Sequence, residues 1–152
     1  MKQLEEITKQ QPVFLHNFKS ELDVISEFEG VSMSESEYNA KESPWANVEF
    51  WKERKAEVAE SIEKHKGEKI LFASYGQEYY EGSAWVLIEK DGQLMEINGS
   101  HCSCYGLEQQ WEPKPVTLDE LKFRLISGTM GSDAYSDNEF ANELKEFIGV
   151  TH

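Results

Sequence analysis

The sequence predicts one α+β domain, a small antiparallel sheet packed against amphipathic helices. Apolar residues recur at helical spacing over 13–28 and again over 48–62. The period then changes to short, partly β-branched runs over 69–97. Two further helical patterns close the chain, at 117–126 and 136–149. Helices segregated from hairpin-linked strands point to α+β architecture. The predicted order is α-α-β-β-β-α-α. A helical part spans 1–67, a sheet of three or four strands lies within 69–105, and a second helical part spans 117–149.

In VFLHNFKSELDVISEF, Phe14, Leu15, Phe18, Leu22, Ile25 and Phe28 fall on a helical stripe, and Gly30 can end that helix. The polar stretch VSMSESEYNAKESPWA follows as an ordered loop, pinned by Tyr38 and Trp45. Asn47 is a helix cap, with Trp51, Lys55, Val58 and Ile62 along one stripe behind it. KHK suits the last turn of that helix, where cations meet the negative end of the dipole, and Gly67 suits its C-terminus. KILFASY, SAWVLIEK and QLMEIN then read as strands. Asp91-Gly92 between the last two predicts a type I′ hairpin, because both turn positions need positive φ. Asn98-Gly99 offers either a second turn, into a fourth strand SHCSCY, or the exit of the sheet. Thr117 with Glu120, and Ser136 with Glu139, have capping-box spacing. Leu118, Leu121 and Leu125 face inward on one helix; Phe140, Leu144, Phe147 and Ile148 do so on the other, and Gly149 stops it.

The chain has 29 acidic and 15 basic residues, a formal charge of −14. Binding to a nucleic-acid backbone needs Lys and Arg to displace counterions, so direct nucleic-acid binding is not expected. Such charge serves solubility, and it also fits a partner with a basic face. No apolar run is long enough to cross a membrane as a helix. The opening MKQLEEITKQQP lacks the apolar core of a secretion signal. A soluble cytoplasmic protein is the expectation.

Both cysteines sit in NGSHCSCYGLE, beside His101. Four readings of Cys102 and Cys104 stand. With His101 they offer three zinc ligands, the fourth being His16, His65 or a carboxylate. As a nucleophile, either thiol needs a base brought close by the fold. Redox exchange more often uses CxxC than the CxC found here. As core, two cysteines at period 2 point inward together while His101, Ser103 and Tyr105 point outward. A packed structural role without any cofactor is the reading favoured. Glu78, Glu81, Glu96, Glu108 and Glu112 cluster around the strands, a pattern that a solvated acidic face also produces. Tyr79, Tyr80 and Trp111 stand in polar, turn-like surroundings. Exposed aromatics with an acidic rim suit a protein-binding patch.

The segment 74–125, with its hairpin, NGSHCSCYGLE and then QWEP, resembles a family of small bacteriophage-encoded proteins without an assigned activity. The resemblance carries no catalytic residues across. It implies action in a host cytoplasm, where such accessory proteins bind and redirect or inhibit host enzymes or defence systems. Joined to the charge, it leads to the expectation of an interaction protein. Its partner would be a host or anti-phage defence protein, met by occluding a basic, nucleic-acid-binding surface. Tyr79, Tyr80, His101, Tyr105 and Trp111 form the expected binding surface. The alternative is a small cysteine-dependent enzyme or zinc protein centred on His101, Cys102 and Cys104.

Overall fold

Five strands form the central sheet of the computed structural model, which describes residues 1–31, 33–78, 81–101, 106–133 and 137–150. They are β1 (Val13–His16), β2 (Lys69–Glu78), β3 (Glu81–Lys90), β4 (Gln93–His101) and β5 (Lys114–Pro115), side by side in that order. Strands β2 to β5 are antiparallel to one another in turn, and β1 lies parallel to β2. The helices are α1 (Leu4–Lys9), α2 (Glu21–Glu29), α3 (Glu35–Tyr38), α4 (Val48–Lys64), α5 (Leu118–Ser127) and α6 (Ala141–Ile148). A short hairpin, β6 (Ser132–Asp133) and β7 (Asn138–Glu139), lies between α5 and α6.

The fold is α+β, but the sheet is mixed and has five strands rather than three or four antiparallel ones. The difference begins at 13–28. This stretch is not one helix: Val13 to His16 pair with Phe72 to Tyr75, and only Glu21–Glu29 is helical. Val13 and Leu15 pack on one face of the sheet and Phe14 on the other, the alternation of a strand. The apolar positions 14, 15 and 18 suit either period. Ser20 then starts α2 by accepting from the Asp23 backbone N–H at 3.3 Å, and Gly30 ends it with φ 71°.

Asn98-Gly99 is not a turn either. Strand β4 runs straight through it, with Trp85 opposite Asn98 and Ala84 opposite Gly99. Glycine is needed there for space, since a Cβ would lie 2.9 Å from Leu107 Cδ2 and 3.3 Å from the Phe28 ring. Asp91-Gly92 does turn as expected, with φ of 53° and 79°. Asn47 caps α4 and Thr117 caps α5, each accepting from the N–H three residues on. The second capping box fails: Glu139 is in β7 and Phe140 occupies the position before α6, while Ser136 lies outside the described residues.

Ala84 to Ile88 of β3 are all buried, so both faces of the sheet are covered. On one face, Leu71, Phe72, Trp85 and Leu87 pack with Ile7 and with Leu121, Leu125, Leu144 and Phe147 of α5 and α6. An irregularity in register between Ile70 and Phe72 accompanies Leu71 and Phe72 packing into this same layer. On the other face, Ala73, Tyr75, Val86, Ile88 and Ile97 pack with Phe18, Val24, Phe28 and Leu107. A satellite cluster of Leu22, Val31, Met33, Trp51 and Val58 joins α4 to α2.

Strand β2 and the β6–β7 connection approach closely at Gly76, where a Cβ would lie 2.3 Å from the Asp137 carbonyl oxygen. Gly76→Ala is therefore expected to destabilise the fold by about 1–3 kcal/mol, by the logic of overpacking. Urea unfolding checks this; an unchanged midpoint would show that the hairpin moves aside at no cost.

Candidate functional site

The loop from Gly106 to Trp111 lies against the end of α2 on the face built from Tyr75 and Phe28. Leu107 anchors it, fully buried in that layer. The Gln110 side chain closes it onto the sheet edge. Its amide donates to the Ser100 and Gly106 carbonyls and its oxygen accepts from the Ser100 N–H, all at 2.7 Å. Glu108 then lies over Gly30, where a Cβ would stand 2.6 Å from Glu108 Cγ.

Between this loop, α2 and α3 opens a cleft of about 400 Å³. Asp23, Glu27, Glu37 and Glu108 line it, together with Met33 and Trp45, and no cation is among its described lining residues. Glu37 is held below the ordinary carboxylate value by bonds from the Ser34 backbone N–H, the Trp45 indole and the Ser34 side chain. Glu27 is raised, first by burial of its carboxyl against the loop and then by the Glu108 charge; His101 offsets part of this. Tyr75 behind them is pushed up to about 12 by burial, then by Glu27 and Glu108. The cleft thus concentrates negative charge that the described protein groups around it only partly balance.

His101 is half-buried beside this cluster. Its ring stands edge-on to Tyr75, with centroids 6.4 Å apart, and its buried Nδ1 has no hydrogen-bond partner among the described residues. Trp111 is half-buried, its ring edge-on to Phe28 at 5.0 Å. Tyr79, Tyr80, Cys102, Cys104 and Tyr105 lie outside the described residues; of the expected surface, His101 is placed against Tyr75 and Trp111 against Phe28. Among the described residues, no group of three His, Cys, Asp or Glu is placed to hold a metal ion.

Two polar clusters were not predicted from the sequence. At the end of α4, the His65 ring is gripped on both sides by Glu29 and Glu68, and Glu68 also accepts from the Trp111 indole. On the opposite face of the sheet, Glu96 is buried. Arg124 Nη1 spans both its oxygens at 2.9 Å, and the Trp85 indole donates to it at 3.1 Å. Burial alone would raise Glu96, but these bonds and the Arg124 charge hold it below the ordinary value. A second cleft, about 380 Å³, opens beside it. Asn138, Ser83 and Asp133 of its wall belong to a chain in which buried Ser74 donates to Asn138, Asn138 to Ser83, and Ser83 to Asp133. These groups largely satisfy one another, which is how a structural network differs from a site awaiting a ligand.

Compared with protein-family models, curated proteins and solved structures, the chain matches none.

Because Glu96 is depressed in the folded state, its contribution to stability is present above its unfolded pKa and is lost as pH falls through the folded one. Arg124→Met leaves that carboxylate buried without its cation. The expected loss at neutral pH is about 2–3 kcal/mol in urea unfolding. Adding Glu96→Gln should recover part of it. Equal, additive losses from the two changes would mean that the residues do not act as a pair.

Proposed function

We propose that this is a phage-type accessory protein that binds a basic surface on a host or anti-phage defence protein. It inhibits or modulates that protein by occupying the surface. The observation that carries the reading is the cleft in which Asp23, Glu27, Glu37 and Glu108 converge without a lining cation among the described residues. Burial raises Glu27 most, and the Glu108 and Asp23 charges add to it; a Lys or Arg side chain entering the cleft offsets those charges. The overall charge of −14 adds long-range steering of a basic partner. The phage context rests on the resemblance of residues 74–125.

A partner retained from host lysate on the immobilised protein, and then purified, gives the test. Glu27→Lys with Glu108→Lys should weaken that complex at least tenfold, about 1.4 kcal/mol. The same double reversal at Glu53 and Glu60, exposed on α4, should weaken it much less. Raised salt should weaken the wild-type complex steeply. A complex indifferent to salt and to the cleft reversal contradicts the reading.

The alternative, a cysteine enzyme or zinc protein at His101, Cys102 and Cys104, is supported by the buried His101 Nδ1, which has no partner among the described residues. Native mass spectrometry with and without chelator separates the two. One zinc per chain, lost to chelator, favours the alternative; a bare mass removes its zinc form.

A further inference from the structure

We propose that Glu29, His65 and Glu68 form a proton-loaded clasp that sets the position of the 107–111 loop and so regulates the acidic cleft. The inference rests on the cleft being the binding site. His65 is 7% exposed at the end of α4. Its Nε2 lies 2.6 Å from Glu29 Oε1, at the end of α2, and its Nδ1 lies 2.8 Å from Glu68 Oε1, just before β2. Glu68 Oε2 accepts from the Trp111 indole at 3.0 Å. The His65 and Trp111 rings meet edge to face at 4.8 Å. Lys64 adds an ion pair to Glu29 at 3.1 Å. The clasp thus ties together α2, α4, the start of β2 and the loop before β5.

Both ring nitrogens face carboxylate oxygens. A neutral imidazole has one N–H, so its other nitrogen would present a lone pair to a carboxylate lone pair. Making both bonds takes one more proton than a neutral imidazole and two carboxylates hold, and that proton belongs to the trio as a unit. The charged groups facing the ring are Glu29 from α2, Lys64 from α4 and Glu68 from the turn before β2; Trp111 from the loop adds a neutral indole donor. Strong acid removes the carboxylate charges, and loss of the shared proton at higher pH breaks one of the two bonds. The clasp is complete only between those limits.

Glu108 belongs to the loop that Trp111 ends, and it lies over Gly30, next to Glu29. A released clasp therefore alters the spacing of Glu27 and Glu108 across the cleft. Leu107 in the core and Gln110 on Ser100 keep the loop attached, so the change is a shift of position, not unfolding.

The test is a titration of the ¹⁵N-labelled full chain from about pH 5 to 8, the span in which histidine-containing groups exchange protons. The Trp111 indole N–H and the 107–111 amides should move together through one single-proton inflection, shared with the His65 ring carbons. Exchange of those amides, corrected for intrinsic base catalysis, should rise roughly tenfold as the proton leaves. In His65→Gln the inflection should vanish with the far-ultraviolet circular dichroism unchanged; should that variant not fold, the wild-type titration decides alone. A His65 ring that titrates while Trp111 and the loop stay still overturns the proposal, as does a flat profile throughout. No partner is needed, so failure here leaves the cleft reading standing. Conversely, a clear inflection with no effect of Glu27→Lys and Glu108→Lys on binding would keep the clasp and remove the cleft.

Discussion

Burial of β3 on both faces is the constraint from which the remaining geometry follows. Ala84 to Ile88 carry no exposed position, so each face of the sheet needs its own layer. Each large side chain buried there contributes roughly 1.5–3 kcal/mol. Helices α1, α5 and α6 supply one layer, and α2 with the loop around Leu107 supplies the other. Helix α2 commits Val24 and Phe28 to the sheet, and Asp23 and Glu27 then line the cleft opposite Glu108. The acidic cleft is a by-product of that packing, and the packing holds its carboxylates near one another despite their repulsion.

Polar side chains close the gaps that this layering leaves. Glu96 with Arg124 and Trp85 fastens α5 to the sheet on one face. His65 with Glu29 and Glu68 fastens α2 and α4 on the other. The two differ in kind. The Glu96 cluster has a cation whose charge is permanent. The His65 cluster instead sets one imidazole ring between two carboxylates. It is also the one joined, through Trp111, to a wall of the cleft.

Features set by neighbours in the chain were legible in the sequence. The Asn47 and Thr117 caps, the Asp91-Gly92 turn and the buried stripes of α5 and α6 all depend on residues within a turn or two. Strand β1 was not legible, because its partners Phe72 to Tyr75 lie beyond three helices and its apolar pattern runs on into that of α2. Asn98-Gly99 misled for a related reason: Phe28 and Leu107, which make glycine necessary, are distant in sequence. His101, Trp111 and Glu108 were noticed as single residues. Glu27 and Glu29 were not, since one turn of an acidic helix looks like any solvated face. His65 drew notice as part of the cationic last turn of α4 and as a possible zinc ligand, because nothing local tells that both its nitrogens meet carboxylates.

The central claim is that this cleft receives the cationic side chains of a basic partner. The most direct measurement is amide and side-chain shift mapping of the ¹⁵N-labelled protein with a short Lys- and Arg-rich peptide. The account predicts the largest changes around Asp23, Glu27, Gly30, Glu37 and Glu108, abolished by Glu27→Lys with Glu108→Lys. Changes spread evenly over the exposed carboxylates of α4 and the rest of the surface, and indifferent to that double reversal, would contradict it.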